Sequence, residues 1–213
     1  MGDSIFFIPM TPWRKEVYNA IRRIPLRGNV LDLGGSRKSG YHELLPEVEK
    51  FVVVNLDPET EPEYRFNLEQ TFPLEEGSYD GILCMNILEH IYNYRGFLSE
   101  CHRVSKNTGT LVIAVPFLVQ VHPSPHDYFR YTDETLLRLL TETGFRDIFI
   151  TPVGSGVGLA FAQISYNVLR YRPLRSLGEW MGRLFDRVMA LIRKESFLSG
   201  KYYPLGYVII ARK

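Results

Sequence analysis

The sequence predicts an α/β protein, a mostly parallel sheet with helices on both faces. Three observations predict it. Two largely apolar runs with β-branched residues, 30–33 (broken only by Asp32) and 52–54, do not alternate apolar with polar, as strands buried on both faces do not. Helical and strand-like segments then alternate along the chain, the pattern that builds parallel sheets from crossover units. Each of the first two runs also leads into small or polar residues, Gly34-Gly35-Ser36 after the first and Asn55 and Asp57 in the second. Sheets of this kind bind ligands just beyond such strand ends.

The elements follow in order. Thr11 and Pro12 start a helix with Trp13, Val17, Ile21 and Ile24 on one face. A strand covers residues 29–33, a short helix lies near 41–45, and a second strand spans 51–56. Residues 58–62 form a polar loop before a short strand near 64–66. Glu76-Gly77-Ser78 is a turn into a strand at 79–85. A helix near 94–104 precedes a strand at 110–115, which stops at Pro116. Thr132 caps a helix carrying Leu136, Leu137, Leu139 and Leu140, Gly144 ends it, and a strand follows at 147–151. In the segment 154–203, Ser176 and Glu179 form a capping box. The helix after it places Leu177, Trp180, Met181, Leu184, Phe185, Val188, Leu191 and Ile192 on one side. Arg183, Asp186, Arg187, Arg193 and Lys194 lie mostly opposite. Residues 207–211 read as the last strand.

The chain of 213 residues reads as a single domain, 1–213, with 154–203 as a helical insertion. A hydrophobic share of 45% and a charged share of 23% are those of a soluble globular protein. A net charge of +1 makes no electrostatic case for a nucleic-acid partner, so none is expected. Cys84 and Cys101 lack metal spacing and read as reduced, buried residues of an intracellular protein. No basic region precedes the Phe6-Phe7-Ile8 cluster, as a secretory signal would require, and no apolar run suits a membrane span. A cytoplasmic location is expected.

The glycine loop and the carboxylate beyond it carry the chemistry. Small residues let a ligand approach the backbone, and free N–H groups there can cradle an anionic group. Asp57 follows Gly34 at close to the ~20-residue spacing at which a carboxylate accepts from a ribose diol; its structural alternative is a solvated turn carboxylate before Pro58. A nucleoside-containing cofactor is expected. A dinucleotide fingerprint would need glycine where Ser36 and Ser39 stand, and no Tyr-x-x-x-Lys pair is recognisable. A nucleotide-linked oxidoreductase is therefore the weaker reading.

The string Val30-Leu31-Asp32-Leu33-Gly34-Gly35-Ser36 resembles motif I of class I S-adenosylmethionine-dependent methyltransferases. Tyr79-Asp80-Gly81-Ile82-Leu83-Cys84-Met85-Asn86-Ile87-Leu88-Glu89-His90 resembles that superfamily's fourth-strand motif. Phe97–Val104 with Asn107–Leu111 is similar to its next helix, turn and strand. Pro125-His126-Asp127-Tyr128-Phe129-Arg130-Tyr131-Thr132 resembles a signature of a bacterial small-molecule, type 11-like branch. The resemblance implies a Rossmann-like, seven-stranded sheet closed by an antiparallel strand, with the helical insertion just before it. It also implies S-adenosylmethionine as cofactor, in a site of Asp32, Gly34, Gly35, Ser36, Asp57, Asn67, Leu68, Met85 and Asn86. Gly34 and Gly35 would face the methionine moiety, Asp57 the ribose, and Met85 and Asn86 the reaction centre. Asn67 stands where the family commonly has an acidic residue near the adenine amine, and its amide oxygen can still accept from that amine.

The implied activity is methyl transfer to a small molecule, such as a hydroxyl of a natural product or saccharide intermediate. A cofactor-binding protein of the same fold without transfer activity is the alternative. Among five histidines, His42 and His102 read as structural, and His90 suits either packing or ligand contact. His122 and His126 flank Pro123-Ser124-Pro125 in a loop beyond a strand end. His126 is the candidate base for a hydroxyl proton, with Asp127 as its neighbour. The alternative is a structural knot of His126, Asp127 and Arg130. A metal would need two further ligands to converge there, which the spacing does not provide, so none is expected. The apolar stripe of the insertion needs cover. Its own domain, a homodimer partner, a lid over the acceptor side, and a membrane surface or lipid-linked acceptor are the four options.

Overall fold

Thr11 does what its chemistry requires: its hydroxyl accepts from the Arg14 N–H at 3.2 Å, and Pro12 opens α1 (Pro12–Ile21). The structure, a computed structural model, describes residues 10–169, 171–192 and 202–213. The Phe6-Phe7-Ile8 cluster, Arg193 and Lys194 lie outside them. Six strands form one sheet: β1 (Gly28–Leu33), β2 (Val48–Val54), β3 (Tyr79–Met85), β4 (Ser105–Pro116), β5 (Arg146–Ser155) and β6 (Pro204–Arg212). Their spatial order is β2-β1-β3-β4-β6-β5. The first four pair in parallel, and β6 runs antiparallel between β4 and β5. From β1 the chain winds outward to β2 and then returns to β3 on the other side. The carboxyl ends of β1 and β3 therefore flank a topological switch point.

Side chains alternate across this sheet, so each strand feeds two cores. Leu31, Leu33, Ile82, Cys84, Leu111, Ile113 and Ile209 face α2 (Tyr94–Val104) and α3 (Asp133–Thr143). Val30, Leu83, Met85, Val112, Ala114 and Val208 face α1 and α4 (Val157–Ser165). Each fully buried Leu, Ile or Phe contributes roughly 1.5–3 kcal/mol, which makes this double core the main source of stability. Thr132 caps α3 and Gly144 ends it in the left-handed region. Cys84 and Cys101 are free thiols, buried side by side in the α2–α3 core.

Four expectations need correction. The sheet has six strands rather than seven, because the segment near 64–66 makes only one bridge, Val54 to Tyr64. The Glu63 carboxylate takes the Val53 N–H at 2.8 Å, occupying a position that a ladder bond would need. The helix near 41–45 is replaced by two 3₁₀ turns, Arg37–Ser39 and His42–Leu44. Ser36 caps the first of these by accepting the Lys38 N–H, and no long helix dipole points at the glycine loop. Within 154–203, α4 was not anticipated, and α5 (Arg172–Ile192) begins before Ser176, so the supposed capping box is mid-helix.

The fourth correction concerns how α5 faces the domain. Its polar side points inward. Asp186 accepts the Gly158 and Leu159 N–H groups at 2.8 and 2.9 Å, capping the start of α4. Glu179 pairs with Lys15 of α1, and Arg183 bridges Glu16 and Glu179. Gly158 and Gly182 let the α4 and α5 backbones touch, since a Cβ on either would enter the other's main chain. The apolar stripe is left outside: Trp180 is 61% exposed and Phe185 48%. No helix among the described residues is long and apolar enough to cross a membrane.

Candidate functional site

β1 delivers its last residues to the switch point through a loop that only glycine can make. Gly34 has φ +73° and donates its N–H to the Val54 carbonyl at 2.7 Å. A Cβ on Gly35 would run into the Asp32 carboxylate, so that carboxylate lies directly under the loop. Asp32 is fully buried. Its Oδ2 accepts from the Tyr41 hydroxyl and from His42 Nε2, each at 2.7 Å. Its Oδ1 has no partner among the described residues. Asn55, at the end of β2, donates to the Gly34 and Gly35 carbonyls at 3.1 and 2.8 Å. Its Oδ1 accepts the Asp57 N–H at 3.0 Å, so one amide ties the loop to the acidic tip. Asp57 is exposed, and one oxygen accepts the Glu59 N–H at 2.9 Å. That contact caps the 3₁₀ turn Pro58–Thr60.

Beyond β3 the chain turns sharply at Asn86, whose φ is +56°. The Asn86 amide oxygen accepts from Trp13 Nε1 at 2.8 Å, seating α1 against the strand end. Glu89 follows in the 3₁₀ turn Leu88–His90, and its carbonyl accepts the Tyr128 N–H at 2.8 Å, anchoring the 117–131 loop. The Glu89 side chain is fully buried, and neither carboxylate oxygen has a hydrogen-bond partner among the described residues. Burial pushes its carboxyl up to about 8. The Nε2 atoms of His90 and His122 stand 3.8 and 3.7 Å from Glu89 Oε1. Asp127 meets Arg130 through both oxygens, at 2.5 and 2.7 Å, and accepts the His122 N–H at 2.8 Å. The Arg130 guanidinium, against the desolvation of the site, holds the Asp127 carboxyl down at about 2. The His126 ring is exposed and lies against Tyr128, which in turn meets Tyr92.

Comparison with known proteins agrees with this geometry. A family model described as a methyltransferase domain matches residues 31–113, which run from β1 through the glycine loop into β4. A probable S-adenosylmethionine-dependent methyltransferase of Mycobacterium tuberculosis is 27% identical over 82 residues, covering 36% of this chain and 30% of its own. A crystal structure of a SAM-dependent methyltransferase from Archaeoglobus fulgidus superposes with a TM-score of 0.61 at 20% identity, covering 92% of this chain and 93% of that one. The chain thus carries a region that matches a methyltransferase domain, and it shares the fold of solved S-adenosylmethionine-dependent methyltransferases. Its matches span less than a third of the length of the curated relatives. A Haemonchus contortus phosphoethanolamine N-methyltransferase 2, solved with S-adenosyl-L-methionine, shares the fold at a TM-score of 0.55 and 14% identity, over 92% of this chain and 51% of that one.

The residues expected at the cofactor fall into two groups. Asp32, Gly34, Gly35, Ser36 and Asp57 converge at the ends of β1 and β2, and Asn86 closes the end of β3. Met85 instead packs into the α1 core at 8% exposure. Leu68 packs against the opposite core. Asn67 is exposed, its amide oxygen holding the Glu69 N–H at 2.9 Å. The cofactor fits what the loop offers: a buried carboxylate oxygen without a partner, ready to accept from an amine, and a glycine turn with no room for a side chain. On the acceptor side, Asp127 engages Arg130 and His122 rather than the His126 ring. Asn55 and Glu89 were not singled out from the sequence. The Asn-Leu-Asp ending of the second run and the Glu89-His90 pair three residues past Asn86 were their only signals.

Proposed function

We propose that the chain transfers the methyl group of S-adenosylmethionine to a hydroxyl of a small molecule, a natural product or saccharide intermediate. One observation carries the reading: the unpartnered oxygen of buried Asp32 beneath the Gly34-Gly35 cradle. An uncompensated acceptor of that kind costs stability unless a bound donor satisfies it, as a cationic amine would. When bound, the cofactor supplies an electrophilic methyl on a sulfonium. The chain's own residues bind and orient. Asp32, Ser36 and the loop backbone serve the methionine end, Asp57 the ribose hydroxyls, Asn67 and Leu68 the base, and Asn86 the transfer centre, with Met85 packed behind it in the α1 core. His126, with neither ring nitrogen bonded among the described residues, takes the proton of the acceptor hydroxyl. Asp127 acts as a positioning residue, fixing the loop through Arg130 and His122. The exposed rings of Tyr92 and Tyr128 beside His126 support an acceptor with an apolar face, such as a sugar ring.

Calorimetric titration with S-adenosylmethionine tests the reading. Asp57→Ala should weaken binding roughly ten- to a hundredfold, from a loss of about 1.5–3 kcal/mol, without unfolding the protein. Binding of NAD in place of the sulfonium cofactor overturns it. With a labelled methyl donor and an accepted hydroxyl substrate, His126→Ala should lower turnover by about a hundredfold to ten-thousandfold and leave cofactor affinity unchanged.

A further inference from the structure

Glu89, His90 and His122 come from two segments that the fold draws together, and their ligating atoms all lie within 4.8 Å of one another. Three features distinguish this trio from a chance meeting. The first is the carboxylate. Glu89 is fully buried with neither oxygen partnered among the described residues, a costly arrangement unless something cationic answers it.

The second is the orientation of the two imidazoles. His90 Nδ1 lies 2.5 Å from the His126 carbonyl, and His122 Nδ1 lies 3.0 Å from the Gln120 carbonyl. A carbonyl only accepts, so both Nδ1 atoms carry the proton and both Nε2 atoms present lone pairs. Those lone pairs stand beside the same carboxylate oxygen, at 3.8 and 3.7 Å. Metal-ligating histidines are held in this way, with the distal ring nitrogen donating to a backbone carbonyl or carboxylate. Asp127 adds the carboxylate version, with Oδ2 at 3.4 Å from His122 Nδ1.

The third is distance and access. Tetrahedral bonds of about 2.0–2.2 Å separate ligand atoms by about 3.4 Å, so the two glutamate–histidine spacings of 3.8 and 3.7 Å need to close by only a few tenths of an ångström. The two imidazole nitrogens lie within 4.8 Å of each other. Side-chain exposure rises from 0% at Glu89 through 10% at His90 to 36% at His122, which leaves one side open. The nearby Arg130 guanidinium would repel a cation, but Asp127 neutralises it through both oxygens. A cation bound at the trio would take Glu89 as its carboxylate and displace the carboxyl proton.

We propose that Glu89, His90 and His122 bind one divalent transition-metal ion of the zinc class through two imidazole nitrogens and a carboxylate, leaving a coordination position open to solvent. Two imidazoles and one carboxylate suit zinc, cobalt or iron better than magnesium or calcium. Under the methyltransferase reading, the open position receives the acceptor's hydroxyl oxygen. That placement rests on the reading, and ion binding does not.

The test titrates chelator-treated full-length protein with Co²⁺ and with Zn²⁺. One equivalent of Co²⁺ should bind and give the visible absorption of a low-symmetry site, and Zn²⁺ should displace it. His122→Ala, a change on a partly exposed loop that should leave the fold intact, should weaken binding by at least about tenfold. His90→Ala combined with His122→Ala should abolish stoichiometric binding. His102→Ala, on α2 and away from the trio, should change nothing. X-ray absorption of the loaded wild-type protein, which needs no variant to fold, should report imidazole scattering and no sulfur. Absence of stoichiometric uptake, affinity unchanged in the double variant, or a shell without imidazole overturns the proposal. Cobalt uptake without S-adenosylmethionine binding would sink the transferase reading alone, and the converse would sink the ion site alone.

Discussion

Asn55 shows how much one amide can organise. It donates to both glycine carbonyls while receiving the N–H of Asp57, so the glycine loop and the acidic tip of the second strand share a single bracket. Asn55→Ala removes three hydrogen bonds, and each buried group left unpaired costs about 1–3 kcal/mol. We expect a lowered melting temperature and roughly tenfold or greater loss of S-adenosylmethionine affinity, read by thermal denaturation and calorimetry on the same sample. Gly35→Ala probes the opposite side of the loop. Its methyl group has no room above the Asp32 carboxylate, so the loop or the carboxylate must move, and overpacking of this kind costs about 1–3 kcal/mol. Cofactor binding should fall more steeply than stability, because the carboxylate that moves is the one facing the ligand. Unchanged affinity in Gly35→Ala would mean that the cofactor does not use this loop.

At the level of elements, what was legible in the sequence was what local chemistry decides. Thr11 with Pro12 and Thr132 with Gly144 set the ends of α1 and α3, because a cap is a contact between near neighbours. The strands 28–33 and 79–85 read from largely apolar segments, interrupted by Asp32 in the first and by Asp80 and Gly81 in the second. The strand near 64–66 did not, since its pairing was lost to a side-chain acceptor, Glu63, that propensity cannot foresee. The facing of α5 was also hidden. An apolar stripe ordinarily turns inward, but here Asp186, Glu179 and Arg183 find polar partners on α4 and α1. The glycine loop and Asp57 were readable as a motif, whereas the Glu89–His122 proximity depends on a loop that returns more than thirty residues later.

Two predictions belong at this scale. Gly182→Leu should separate α5 from α4, lower the melting temperature and expose the α4–α5 junction to limited proteolysis while the sheet persists. The second concerns Glu100, which accepts from Arg103 and from the Phe72 N–H and so pins the irregular stretch before β3 onto α2. Arg103 holds its carboxyl below the ordinary 4.5. A lowered native value means that its stabilisation is complete above the unfolded value and is lost as pH falls through the native one. Glu100→Gln should therefore destabilise the protein at neutral pH and flatten the acid limb of the stability curve below about pH 4.5. Parallel curves for wild type and variant through that range would refute it.

For the whole molecule, the layers run α2–α3, sheet, α1–α4, and α5 outermost with its apolar side facing away. Trp180 and Phe185 stand on that outer side, so replacing both with Ser should leave folding intact, with each change within about 0.5 kcal/mol. A cooperative loss of structure would show that the stripe is buried after all. The same variant separates what covers the stripe. Wild-type protein that pellets with anionic liposomes at low salt, and a variant that does not, identifies lipid contact. A halving of the sedimenting mass identifies a second copy.

β6 has a place in space at odds with its place in sequence. It is the last strand to appear, yet it lies inside the sheet, zipped to β4 over Thr110–Pro116 and to β5 on its other side. On a ribosome working at about 5–20 residues per second, β4 leaves the peptidyl-transferase centre roughly 5–20 s before β6 is made. For that interval the apolar strands Leu111–Val115 and Ile148–Thr151 have no partner between them, each offering an open edge to any neighbouring chain. The nascent domain is thus two half-sheets awaiting a closing strand. Its yield in the cell should depend on translation speed and on chaperone capture through the 154–203 interval, more than the stability of the finished fold would suggest.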